Sequence, residues 1–113
     1  MDTDEMKQLA RFIKILGDSS RLSIIRAIGS DARSVSEIIK KTGLSQTLVS
    51  FHLRNLRDSG IVETRREGPF IYYNLSDPNL LALLEQLALM AGLEDNPFAG
   101  YPAVPLKIQA KGK

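Results

Sequence analysis

Cysteine and tryptophan are absent from the 113 residues, and histidine occurs once, at position 52. Without a thiol there is no disulfide, no thiolate metal site and no persulfide or thiol-redox switch, and a transition metal finds few soft ligands. A single histidine leaves most general-base constellations without their usual proton carrier. The glycines fall in none of the patterns G-x-x-x-x-G-K-[ST], G-x-G-x-x-G or G-x-S-x-G, so catalysis is not expected. Neither sign of charge dominates: 15 Lys and Arg face 13 Asp and Glu, a formal net charge of +2. A generic polycation is excluded, and any nucleic-acid surface has to come from where the basic residues are placed. Long apolar runs are missing too. Asn96 to Leu106 is uncharged but holds three prolines, far from the ~20 apolar residues of a membrane span. The start, Met1-Asp-Thr-Asp-Glu, is acidic where a signal peptide is basic, so the expected setting is the cytoplasm.

What is there reads as a small soluble domain, 43% apolar and 25% charged. At this length much of the unfolded surface stays exposed after folding, which makes self-association an expected route to further burial. From Asp4 to Gly17, Met6, Leu9, Ala10, Ile13 and Leu16 recur at helical spacing, and Phe12 and Ile15 add a second apolar face. Asp18 and Ser19 supply cap chemistry for a second helix carrying Leu22, Ile25 and Ile28 and ending at Gly29. Ser34 and Glu37 match a capping box that opens a third helix, which stops at Gly43. Ser45 caps a fourth, running through Val49, Leu53 and Leu56 to Gly60. Two short helices around a tight glycine-containing break predict a helix-turn-helix.

After Gly60 the period changes to two. Ile61–Arg65 and Phe70–Leu75 are predicted strands of a two-stranded hairpin, joined by a turn over Arg66-Glu67-Gly68-Pro69. Asp77-Pro78 starts a last helix, Leu80 to Met90, apolar nearly all round. Such a surface in a small domain calls for a partner. The prediction is mainly α with a two-stranded β-hairpin, in the order α-α-α-α-β-β-α. This is a winged helix-turn-helix over residues 1–93 that dimerises through its first and last helices, with Met6, Leu9, Ile13, Leu80, Leu84 and Leu87 in the interface. Residues 94–113, with three prolines and a lysine-bearing end, are read as an extended or disordered tail.

From Phe12 to Leu75 the chain resembles the ArsR/SmtB-type winged-helix repressors. The resemblance rests on Leu16-Gly-Asp-Ser-Ser-Arg21-Leu, Ser36-Glu-Ile-Ile, Gly43-Leu-Ser-Gln-Thr-Leu-Val-Ser50, His52-Leu-Arg-Asn-Leu-Arg-Asp-Ser-Gly60-Ile-Val, and Arg65-Arg-Glu-Gly68 with Tyr73-Asn-Leu75. It implies a homodimer that binds double-stranded DNA, with the recognition helix beginning at Ser45 and the hairpin as wing. The residues agree with it. With Val49, Leu53 and Leu56 inward, Gln46, Thr47, Ser50, Phe51 and Arg54 turn outward. Gln bonds an adenine edge bidentately, and Ser and Thr adapt to several acceptors. Arg54 and Arg57 suit phosphate, as do Lys40 and Lys41 before the turn, and Arg65 and Arg66 at the wing suit phosphates or an adjacent minor groove.

Rival readings accompany these. Gln46, Thr47 and Ser50 also fit a solvated face, and Arg65 and Arg66 fit ion pairs with Glu63 and Glu67. Phe51, where the family often has Arg, fits either a thymine methyl or packing on its own wing. His52 reads as a buried structural residue rather than a ligand, and Asp18 and Arg21 as cap and structural contact. Family members that sense metals do so through cysteines of the third helix or His and carboxylates of the last. Here those helices offer no thiol and no His, so no metal or other cofactor is expected. A small organic effector, a partner protein or no effector stay open. The competing function is a winged-helix protein-interaction module without sequence-specific DNA binding.

Overall fold

A computed structural model describes residues 3–101. The element order is α1 (Thr3–Leu16), α2 (Ser19–Ile28), β1 (Arg33–Ser34), α3 (Val35–Thr42), α4 (Gln46–Asp58), β2 (Val62–Glu67), β3 (Phe70–Leu75) and α5 (Asn79–Met90). The caps fall where side-chain chemistry puts them. Asp18 accepts a hydrogen bond from the Arg21 backbone N–H at 3.0 Å, and Ser34 and Glu37 close a reciprocal capping box. Ser45 Oγ accepts from the Leu48 N–H at 3.1 Å. Asp77, two residues ahead of α5 and one before its N-cap Pro78, accepts through Oδ1 from the Asn79 N–H at 2.9 Å.

The sheet has three strands, ordered β1-β3-β2 and antiparallel throughout, where the sequence predicts two. The added strand, β1, pairs Arg33 with Tyr73 and Ser34 with Tyr72. Two residues carry no readable alternation, so only the neighbouring β3 edge makes them a strand. The hairpin turn is also tighter than predicted. Glu67 pairs directly with Phe70, which leaves Gly68-Pro69 as a two-residue loop. Gly68 takes the positive φ, 61°, that such a loop asks of its first residue. Arg66 is therefore a strand residue paired with Ile71, not part of a turn.

The chain divides into two compact units, with the boundary between Ser76 and Asp77. In the first, Ile24, Ile25, Ile28, Ile38, Val49, Leu53, Leu56, Ile61, Val62 and Leu75 are buried and join α2, α3, α4 and the sheet into one core. By contrast α1 is exposed along nearly its whole length. In the second unit Leu80, Leu81, Leu84 and Ala88 of α5 are buried, whereas Leu83, Leu87, Leu89 and Met90 are exposed. Residues 94–101 are not extended. Asn96 Nδ2 donates to the Glu85 carbonyl at 3.0 Å, the Phe98 N–H donates back to Asn96 Oδ1, and the Phe98 ring is 4% exposed. The rest of the predicted tail, from residue 102, lies outside the described residues. Among the described residues no helix is long and apolar enough to cross a membrane.

Candidate nucleic-acid interface

The turn that presents α4 is built by side chains as well as backbone. Thr42 Oγ1 donates to the Ile38 carbonyl at 2.8 Å and accepts from the Leu44 N–H at 3.2 Å. Gly43 ends α3 in the left-handed region at φ 74°, which a side chain would strain. Ser45 then reverses into α4 within two residues of Gly43. This brings the exposed Lys40 and Lys41, at the end of α3, close in sequence to the start of α4.

On α4 the buried stripe is Val49, His52, Leu53 and Leu56. Gln46, Thr47, Ser50, Phe51, Arg54 and Arg57 are all exposed, as the period predicts. Thr47, Phe51 and Arg54, spaced i, i+4 and i+7, lie opposite the buried stripe, with Gln46 and Ser50 on one flank. Ser45 is partly committed. Its hydroxyl oxygen caps α4, and the hydroxyl proton is left for an acceptor such as phosphate.

The wing separates two residues that the sequence treats as a pair. Directly paired residues of an antiparallel ladder share a face, and neighbours along a strand alternate. Arg65 shares a face with Glu63, Glu67, Phe70, Tyr72 and Asn74, while Arg66 shares the other with Thr64, Ile71 and Tyr73. Arg65 Nε meets Glu67 Oε2 at 2.9 Å in an exposed pair. Among the described residues Arg66 has no such partner. The rival reading, pairing with an acidic neighbour, thus applies to Arg65 and not to Arg66.

Behind the recognition face, His52 is buried and anchored to the start of α2. Arg21 Nη1 lies 3.3 Å from His52 Nδ1, and Arg21 Nε donates to the Ile15 carbonyl at 2.6 Å. His52 Nε2 lies 3.9 Å from Asp18 Oδ2. The three side chains tie the end of α1, the cap of α2 and the middle of α4 into one junction. The Arg21 N–H, followed by the positive charge of Arg21, holds the Asp18 carboxyl below its ordinary pKa. A carboxyl whose folded pKa is lowered stabilises the fold above its unfolded value, about 3.9, and loses that contribution as pH falls through the folded value. Asp18→Asn keeps a good N-cap but cannot titrate. The variant is expected to be slightly less stable than the parent in urea at pH 7 and to lose less stability between pH 5 and pH 3, so that the two converge in acid. Parallel acid limbs in the two proteins would remove Asp18 from this account.

Residues 18–64 match the family model for bacterial regulatory proteins of the arsR family. The chain is 33% identical over 88 residues to the transcriptional repressor SmtB homolog of Synechocystis, covering 78% of this chain and 67% of that one. It is 35% identical over 75 residues to the transcriptional activator HlyU of Vibrio cholerae, covering 66% and 69%. The solution structure of the homodimeric winged helix-turn-helix DNA-binding domain of Mb0332 from Mycobacterium bovis superposes with a TM-score of 0.69 at 31% identity. That match covers 79% of this chain and 82% of the other. This chain belongs to the arsR family.

As an arsR-family member it is a DNA-binding transcriptional regulator with a winged helix-turn-helix fold. Among the described residues no group of three His, Cys, Asp or Glu side chains could hold a metal. Of the expected interface residues, Met6, Leu9, Ile13 and Leu87 are exposed. Leu80 and Leu84 are instead buried within the protomer, because α5 turns that side inward. The exposed Leu83, Leu89 and Met90 were not on the predicted interface. Their signal, an apolar residue at nearly every position of the helix, does not say which face a chain keeps for itself. The Arg21–His52 contact also escaped the sequence, since nothing local joins residues 31 apart.

Proposed function

We propose that this regulator is a cytoplasmic homodimeric repressor that reads an inverted-repeat operator. One α4 enters the major groove of each half-site, and the half-sites are spaced about one helical turn apart. The observation that carries this reading is the exposed face of α4, where Gln46, Thr47, Ser50, Arg54 and Arg57 stand outward around Phe51 while Val49, Leu53 and Leu56 are buried. In this reading Gln46, Thr47 and Ser50 face base edges. Arg54, Arg57, Lys40, Lys41 and Ser45 meet phosphate, and the wing follows the backbone through Arg66 more than through Arg65. Glu67 meets Arg65 through Nε in an exposed pair, which competes only weakly with a phosphate, whereas Arg66 has no such competitor among the described residues. Any effector acts by favouring one spacing of the two recognition helices over another, since a ligand shifts an equilibrium only through differential affinity. With no cysteine in the chain, that effector is not sensed through thiolates.

Affinity selection of random duplex DNA by the metal-free protein, followed against salt, tests this. A two-fold symmetric motif is the expected product. On that motif Gln46→Ala should lower the preference over random DNA by about 1–3 kcal/mol. Arg66→Ala should weaken binding to all sequences and reduce the salt slope by roughly one, and Arg65→Ala should do less. Equal effects of Gln46→Ala on selected and random DNA remove base reading from Gln46. Absence of any DNA binding moves the protein-interaction module to first place.

A further inference from the structure

We propose that Phe51 is a specificity-determining residue that reads the C5-methyl group of a thymine in each half-site; this rests on the DNA-binding mode above. The ring is 58% exposed at the outward crest of α4, between Thr47 one turn before and Arg54 about one turn after. Among the described residues no aromatic ring of the wing pairs with it. The ring neighbour of Phe51 is His52, edge-on at 5.3 Å, and the wing aromatics Phe70 and Tyr72 lie against each other at 6.5 Å. A large apolar ring is thus held in water among Gln46, Thr47, Ser50 and Arg54.

The major groove presents hydrogen-bond donors and acceptors at every base pair, and its one apolar feature is the thymine methyl. A phenyl ring has no hydrogen bond to offer a base edge. Placed against guanine or adenine N7 it would leave that acceptor desolvated and unpaired. Against a methyl group both surfaces leave water together. The chemistry of the ring and its position on the helix therefore select the same partner.

The test uses the full-length protein and its selected operator, with each thymine of the half-site replaced in turn by deoxyuridine, which removes the methyl and keeps the base pair. At one position the wild type is expected to bind roughly fourfold more weakly per half-site, and about fifteenfold when both half-sites are changed. Phe51→Ala should bind the thymine and uracil duplexes alike, and Phe51→Leu should keep part of the discrimination. Unchanged circular dichroism and urea midpoints are expected for both variants, since the ring is exposed. Specific binding in which no thymine is sensitive to methyl removal overturns the assignment and leaves the DNA-binding mode intact. So does a Phe51→Ala protein that discriminates as well as the wild type. Failure to select any sequence overturns both.

Discussion

Replacing Leu9 and Ile13 together by glutamate is expected to give a folded monomer that has lost operator binding by a factor of about 10²–10⁴. A helix of 14 residues is marginal in water on its own, yet α1 exposes Met6, Leu9 and Ile13 at 54%, 46% and 56% on one stripe. Tertiary packing of an apolar face is the usual source of helix stability in proteins. Here that face has no cover within the described residues of its own unit. In the proposed homodimer a second copy of the chain would cover it; the M. bovis relative is a homodimer. Two glutamates one turn apart, brought against their symmetry mates, would place four like charges in a desolvated interface. Losing the dimer turns two linked half-site contacts into two separate ones, hence the size of the loss. Sedimentation equilibrium reads the oligomer and a binding titration the affinity. A variant that stays dimeric and binds normally would show that α1 is not the pairing surface.

Leu53→Ala is expected to cost about 2–5 kcal/mol of stability, a large share of the roughly 5–15 kcal/mol that hold a domain this size. Leu53 is 1% exposed and, with Val49 and Leu56, fastens α4 to the core formed with α2, α3 and β2. Its neighbour His52 gives α4 a polar tether to Arg21 that survives the substitution, so the helix is expected to remain but to move. Urea unfolding should show a lower midpoint with an unchanged slope. Operator affinity at low temperature should fall by less than the stability does. By comparison Thr47→Ala, on the exposed side of the same helix, should leave stability within about 0.5 kcal/mol. If Leu53→Ala unfolds no more easily than Thr47→Ala, the buried stripe does not anchor the recognition helix.

The extent to which these sites were legible follows from the range of the interactions that make them. Caps and turns are local. Asp18, Ser34 with Glu37, Ser45 and Asp77 each bond a backbone N–H two or three residues away, so their sequence neighbours identify them. The division of α4 into a buried and an exposed stripe is also local, because the helical period assigns every residue to a face once one face is apolar. Where period ran out, reading failed. In α5 apolar residues occupy both sides, and nothing in the pattern distinguishes Leu80 and Leu84, buried, from Leu83 and Leu87, exposed.

The order of the helices and the hairpin, the helix-turn-helix break and the outward face of α4 were thus determined by the sequence alone, through contacts spanning no more than a few residues. The tertiary structure decided the rest. It gave Arg33-Ser34 a strand to pair with across 40 residues of chain and closed the hairpin so tightly that Arg65 and Arg66 fell on opposite faces. It also held His52 between Arg21 and Asp18 and set the Phe51 ring edge-on to that of His52. Each of these depends on which distant segment comes to lie alongside. That is settled by burial and by the pairing of backbone polar groups over the whole domain.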